Sequence, residues 1–436
     1  MTGPDSARGS SPAGERGTRH LIAPLVLALL LFAARLDGVP TLSDTVWAAI
    51  PPSLHLSVPP LYLLFAPVFT LWDGISMLSM SRLRGFLQGL AVCYVGWRLL
   101  RWWLRRSAGR AAPSWMRELR ALLLSTAAFS LFVVVGAIWH RPMASLSGVP
   151  QDWSVVDFHS HTNRSHDVRG TLMGGFDLEA NRRWHARAGF DAVFITDHNV
   201  ASHESRVASH EPGAMTVICP GVEVSAWHAH IVLLGDTLAI PRDSYAKDLE
   251  GLLALLHQSD SSYHAISVAS LPEYRRSHWD HLGQLVEAGL DGFEIVNASP
   301  AANELTRSQR DTVVLLARAH KRFDVGVSDS HGWGATSMVW NLIPRPHRDP
   351  DPCTDILGRL RAGFSAGRIV ERHRLRPDDW WPSWLTPIGV VWETWRGMGW
   401  PLTIAWLGWI ALYIGWQLRR RPPLLRTRSE TKIVPH

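Results

Sequence analysis

The sequence predicts an α/β protein held at a membrane. Three observations carry this reading. Residues of about 150–375 alternate short β-rich runs with helix-like runs, the pattern of a parallel sheet with covering helices, open or closed into a barrel. His, Asp and Glu recur where those β-rich runs end. Long uncharged runs crowd both ends of the 436-residue chain, with arginines beside them.

The elements follow in order. Residues 1–20 are small, polar and Arg-containing, the composition of a disordered tail. Residues 21–36 are apolar enough for a retained helix if Arg35 snorkels. A cleaved signal peptide is the rival, but no convincing small-residue cleavage site follows. Residues 59–80 are a second candidate span, interrupted by Pro67, Asp73 and Gly74. Residues 86–104 are a third, with Arg98 and Arg101 near the end. Residues 121–139 are uncharged and end at Trp139, and residues 400–418 lie between Trp400 and Arg419-Arg420-Arg421. Both fit the thickness of a bilayer.

The arginines set an orientation. Arg98–Arg120 precede the 121–139 segment and Arg419–Arg421 follow the 400–418 segment, so both stretches are expected on the cytoplasmic side. Residues 140–399 then lie outside the cytoplasm. Three helices before residue 121 would place the N-terminal arginines outside, against the same rule. One of the first three segments is therefore expected to be re-entrant or to lie on the surface. The formal charge of +6 alone would suggest an anionic partner, but its placement beside apolar runs argues for topology and against nucleic acid. The expected location is a multi-pass position in the cell (inner) membrane, with the lipid bilayer as partner. Nothing in the sequence fixes an oligomeric state. Of 3 cysteines, Cys93 lies in an apolar run, so at most Cys219 and Cys353 could pair. They do not decide the compartment.

In the middle region the expected strands are Ser154–Phe158, Ala192–Thr196, Thr216–Cys219, His230–Leu234, Ala265–Ala269, Gly292–Val296 and Asp324–Ser328. The expected helices are Leu178–Ala188, Leu249–His257, His281–Ala288, Glu304–His320 and Asp355–Ala362. Residues 376–399 are rich in Trp and Pro and suit an interfacial linker to the last span. A basic tail, 419–436, closes the chain.

Nearly every strand ends in a metal-competent residue. "DFHSHTNRSHD" supplies His159 and His161, "ITDHN" Asp197 and His198, "GVEVS" Glu223, "HAHIVLLG" His230 or His228, and "SDSHGWG" Asp329 and His331. In a parallel α/β fold the C-terminal strand ends converge, and sites are built there. Residues two apart in an extended chain point the same way, so His159 with His161, and Asp329 with His331, can share an ion. Imidazoles with carboxylates suit Zn, Mn or Fe rather than Ca or Mg, and Glu223 can bridge two ions. A single HxH or DxH is a weak signal; five such features in consistent order are a strong one. His185, His257, His320 and His347 have no such pattern and are read as packing or solvated residues.

These motifs resemble the successive motifs of the PHP (polymerase and histidinol phosphatase) superfamily, in particular its bacterial CehA/McbA-like metallohydrolases, over about residues 150–375. The resemblance implies a distorted (β/α)7 TIM-like barrel, flanked here by N-terminal and C-terminal transmembrane helices. It also implies two or three divalent metal ions and hydrolysis of a small phosphate ester by a metal-bound hydroxide. By motif position, His159, His161, His198, Glu223, His230, Asp329 and His331 carry over as ligands. His166 and Asp167 compete for one more position, with Asp167 preferred. Where the family has a His-Pro, this chain reads Ser270-Leu271-Pro272, so one usual ligand is missing. His264, His278 or Glu273 could substitute, or the site holds fewer ions.

The catalytic set is expected to be Glu223, Asp197 and Arg164. Asp197 would orient His198 or another ligand. Arg164, with Arg275 or Arg276, would bind a phosphate through planar donors, or remain a solvated loop arginine. Asn199 reads as structural, and Asp157 as structural or as support to a ligand. Two rivals stand beside this reading: a non-catalytic sensor domain, which the missing His favours, and a metallohydrolase acting on a carboxylic ester or carbamate. Metal stoichiometry with turnover separates the first, and a substrate panel the second.

Overall fold

The computed structural model describes residues 13–46, 49–109, 114–201, 216–235, 240–272, 278–300, 302, 305–345, 351–362, 367–373 and 382–419. Its centre is a mixed sheet of ten strands in the order β1-β12-β11-β4-β5-β6-β7-β8-β9-β10. Numbered along the chain, β1 is Leu42–Asp44, β2 His55–Ser57, β3 Ser145–Ser147, β4 Trp153–Ser160, β5 Ala192–Ile195 and β6 Val217–Ala226. Then come β7 Ala229–Leu234, β8 Ile266–Ala269, β9 Gly292–Asn297, β10 Phe323–Val327, β11 Val339–Pro344 and β12 Arg368–Arg372. β2 and β3 form a separate small pair.

The expected (β/α)7 barrel is not what forms. β4, β5 and β6 are parallel neighbours, as are β8, β9 and β10, but β7 runs antiparallel to both β6 and β8. β11, β12 and β1 add three further antiparallel pairings. The cause at β7 is local. β6 continues past Cys219 to Ala226, and Trp227 and His228 both adopt positive φ (34° and 51°). Two such residues make a tight hairpin turn whose twist matches the strands, so no crossover helix separates β6 from β7. The usual Asn or Gly signal of that turn is absent.

The sheet is nevertheless curled. Beyond the ends of β10 and β4, Asp329 N donates to His159 O at 2.9 Å and His161 N to Ser330 O at 3.0 Å. The Asn341 side chain on β11 bonds Val156 O and Gly326 O, tying the same two strands together. Val156, Phe158, Phe194, Val232, Val268 and Val325 form one buried cluster, completed by the helix Pro352–Arg361. Helices Leu249–Ser261, Leu282–Glu287 and Arg307–Ala319 pack on a second cluster with Leu233, Phe293 and Ile295. Helix starts use ordinary chemistry: Asp248 caps one, and Thr306 with Gln309 makes a capping box at another. Cys219 on β6 and Cys353 at the start of Pro352–Arg361 form a disulfide, with Cα atoms 5.5 Å apart.

The flanking helices also differ from expectation. Among the described residues, two helices are long and apolar enough to cross a membrane by length and composition: Trp115–Ile138 and Trp400–Arg419. Leu21–Leu36 is apolar but shorter. The 59–80 segment is instead two short helices, Pro60–Leu64 and Ala66–Ser76, because the chain breaks at Phe65 before Pro67. Tyr62, Phe69, Thr70 and Asp73 on it are buried, so its apolar surface is spent on packing. The 86–104 segment lies within the helix Met80–Ser107, whose arginines, among them Arg98, Arg101, Arg105 and Arg106, remove it from the apolar class. Arg98 pairs with Glu118 across to the next helix. The helix Thr386–Gly397 packs through Trp395 with Phe69, Trp72 and Trp406.

Candidate metal centre

The curl of the sheet brings β4, β6 and the segment after β10 to one point. His159 ends β4 and His161 follows it, both fully buried, with their Nε2 atoms 3.0 Å apart. Glu223, midway along β6, places Oε2 at 3.2 Å from His159 Nε2 and 3.3 Å from His161 Nε2. Asp329 Oδ1 lies 3.6 Å and 3.1 Å from the same two nitrogens. Donors about 2.0–2.1 Å from one tetrahedral ion stand about 3.3 Å apart. These five separations fit that edge length.

A second group adjoins the first. Glu223 Oε2 is 3.1 Å from His198 Nδ1, and Oε1 is 2.7 Å from His230 Nδ1. Asp167 Oδ2 reaches His198 Nε2 at 3.1 Å and His331 Nε2 at 2.6 Å. His161, Asp167, His198 and His331 thus form one candidate ion-binding group, beside His159–His161–Asp329 and His198–Glu223–His230. His331 and Asp167 are partly exposed, whereas His159, His161 and Glu223 are sealed. The site therefore opens on the Asp167–His331 side.

Its electrostatics are those of an acidic nest filled with imidazoles. Burial disfavours a charged His159, but Glu223, Asp329 and Glu294 override it and raise its pKa well above the ordinary value. Burial and neighbouring His331 lower that of His161. His331 loses to burial but gains more from Asp329 and Asp167, and is pushed up to about 10. Burial would raise Glu223; His159 and His230 instead hold it well below the usual range. Glu223 Oε1 and Oε2 and Asp329 Oδ1 are buried and face imidazole nitrogens at 2.7–3.6 Å, with no well-aligned hydrogen bond among them. Buried carboxylates so placed are costly unless a cation, a protonated imidazole or a metal ion, meets them. The residues present therefore fit divalent ions, with nitrogen and oxygen donors of the kind Zn, Mn and Fe accept.

Other expected residues stand elsewhere. The Asp197 carboxylate accepts from Thr162 N (2.6 Å) and Thr162 Oγ1 (2.7 Å); it braces the loop after His161 and contacts no imidazole through those bonds. Arg164 is exposed on that loop. His166 is exposed, its ring 5.0 Å from that of His198, while Asp167 turns inward. His228 lies exposed in the hairpin turn. Asn199 bonds Ser225 N and Oγ, a structural tie between β5 and β6. His264 is exposed, and Glu273, Arg275, Arg276 and His347 lie outside the described residues. His278 is fully buried near His230; its burial, and then the charge of His230, lower its pKa to about 3. His257 and His320 are exposed, and His185 is buried.

Sequence reading missed Glu294. This fully buried carboxylate on β9 takes His159 Nδ1 at 2.7 Å and accepts from Ser270 Oγ at 2.7 Å. Ser270, at the position of the missing His, is thus occupied by a carboxylate. Asn297 joins Glu294 to Asp329. Asp157 likewise receives Ser328 N and His185 Nε2 behind β4. A lone Glu in an apolar strand has no spacing partner to announce it.

No protein-family model matches the chain, and no protein of curated function matches it. Among solved structures, PsfC from Pseudomonas syringae is 18% identical, with a TM-score of 0.34, covering 56% of this chain and 97% of its own. A Bifidobacterium adolescentis protein, whose assignment as a metal-dependent phosphoesterase is itself provisional, is 16% identical, with a TM-score of 0.31. It covers 48% of this chain and 97% of its own. Both likenesses are too remote to assign an activity.

Proposed function

We propose that the chain is a membrane-anchored, metal-dependent hydrolase of the PHP type acting on a small phosphate ester. The observation that carries this reading is the donor set of His159, His161, Glu223 and Asp329, spaced as the corners of one coordination polyhedron. Those four would hold one ion; Asp167, His198 and His331 would hold another, with Glu223 and His230 beside it. When bound, such ions acidify water and neutralise charge on phosphoryl oxygens.

The chain's own groups supply the rest. Glu294 fixes the ring of His159, and Asp197 fixes the Thr162 loop. Sealed walls around His159 and His161 keep bulk water from the inner corner, while a substrate would approach from the partly exposed Asp167–His331 side. Arg164, exposed on the loop after His161, would meet a phosphate oxygen through its planar donors.

The domain plan proposed is a helical membrane part over 21–139, a hydrolase domain over 150–375, a linker over 376–399, a last span over 400–418 and a cytoplasmic tail over 419–436. Exposed Leu123, Leu124 and Leu131 (60–71% exposed) on the helix Trp115–Ile138 support lipid contact, since a soluble core helix would cover them. The Cys219–Cys353 disulfide supports an extracytoplasmic site, where such bonds persist.

The test uses the full chain purified in detergent. Bound metals are quantified, and a generic phosphomonoester and phosphodiester are assayed with added Mn or Zn. Metal uptake with turnover that collapses in the double variant His159→Ala, His331→Ala is expected. Absence of metal, or unchanged turnover in that variant, overturns the reading.

A further inference from the structure

We propose that Arg141 and Asp73 are positioning residues for the metal centre, fixing the 331–338 segment that carries His331 to the helical layer. The proposal rests on the metal-centre reading above, but the bracing it describes can be measured without it.

Asp73 sits on the helix Ala66–Ser76 and Arg141 just after the helix Trp115–Ile138, and both are fully enclosed (0% and 1% exposed). Arg141 Nη2 meets Asp73 Oδ1 at 2.6 Å. Its Nη1 donates to Gly334 O at 2.8 Å and lies 3.4 Å from Trp333 O and 3.3 Å from Gly136 O. The other Asp73 oxygen accepts from Tyr62 at 2.6 Å and from Arg372 Nη1 at 3.4 Å. Arg372 in turn donates its backbone N–H to Met338 O at 2.7 Å. One carboxylate thus anchors two arginines that grip the segment near both ends.

The backbone at and just before the segment is irregular. Gly332 holds φ 140°, and Asp329, two residues before His331, holds φ 44°, in the left-handed region that few L residues adopt. Direct packing adds to the grip. A Cβ on Gly334 would stand 3.2 Å from Ala137 Cα, and one on Gly136 would stand 2.5 Å from the Trp72 ring. Burying two guanidinium groups with one carboxylate is expensive, and an apolar cluster would serve stability as well. What an apolar cluster could not do is hold two successive main-chain carbonyls at fixed positions. That requirement lies two and three residues beyond His331.

The experiment compares the full chain in detergent with Arg141→Met, which leaves Asp73 paired to Arg372 and Tyr62, and with Arg141→Lys, which keeps the charge but not the fork. Two readouts are taken: hydrogen–deuterium exchange of residues 331–338 without ions, and Zn(II) affinity by competition with a chelating dye. Expected are faster exchange confined to that segment and about a tenfold or greater loss of Zn(II) affinity, with Arg141→Lys intermediate in both. Wild-type exchange over 331–338 in Arg141→Met overturns the proposal, as does a loss of affinity without any change in exchange. If Arg141→Met fails to fold, Gly334→Val, which crowds Ala137, must give the same two changes, and their absence there overturns it. If the wild-type chain takes up no Zn(II), the metal reading fails, while the exchange comparison still decides whether Arg141 braces the segment.

Discussion

His159 engages both ring nitrogens: Nδ1 meets Glu294 Oε1 at 2.7 Å, while Nε2 faces His161 Nε2 at 3.0 Å. The carboxylate behind the ring fixes its orientation, leaving the Nε2 lone pair for an ion. Glu294→Gln retains the shape and removes the charge. Metal affinity is expected to fall about 10–100-fold, with the circular dichroism spectrum unchanged. A chelator-competition titration checks it, and wild-type affinity would reduce Glu294 to a packing residue.

Asp167 and His166 are neighbours with opposite placements. Asp167→Asn removes the oxygen shared by His198 and His331 and should lower the number of ions retained after dialysis. His166→Ala, at an exposed position, should leave that number unchanged. Elemental analysis of the two variants decides the matter; the reverse pattern would reassign the position to His166.

Metal uptake should depend on pH. Without ions, carboxylate neighbours hold His331 up to about 10 and raise His159 well above its ordinary value. His331 is therefore protonated near pH 7 and must lose a proton to bind metal, and the raised pKa of His159 acts in the same direction. Affinity should rise with pH up to about 10, with protons released on binding, measurable by calorimetry in buffers of different ionisation heat. The sign for the ion-free fold is opposite. A raised folded-state pKa stabilises fully below the ordinary value of 6.5 and is lost as pH climbs through about 10. The ion-free protein should thus melt at a lower temperature at pH 10 than at pH 6.

The disulfide supplies a test of topology. Replacing Cys219 and Cys353 by Ser opens a loop of 134 residues and should cost about 2–5 kcal/mol, seen in chemical denaturation. In cells, a reporter fused after Trp139 should be active only outside the cytoplasm. A cytoplasmic signal there would overturn the proposed orientation.

Part of the candidate centre was legible because His159, His161, Asp329 and His331 lie at or just beyond strand ends. They come together with Glu223, which lies inside β6 rather than beyond the expected strand Thr216–Cys219, and the helix Leu178–Ala188 has the expected bounds. The sheet was misread at Trp227-His228, because two bulky residues occupy a turn that normally signals itself with Asn or Gly. β11 and β12 were not foreseen either, and they add antiparallel strands beside β4. Residues 59–80 were misread for a different reason. Composition reports how apolar a segment is, not what covers it, and there Asp73 is a buried partner of Arg141 rather than a flaw in a span.

The bond between Ser328 and Asp157 joins residues 171 positions apart, and this fixes an order of events during synthesis. At about 5–20 residues per second, roughly 10–30 s separate the emergence of β4 from that of the strand that completes its site. Through that interval the nascent chain carries His159 and His161 with no Asp329 or His331 to close around an ion. Cys353 emerges later still, so the native disulfide cannot form until every donor has been made. Oxidation of that pair therefore seals only chains that already contain a whole centre.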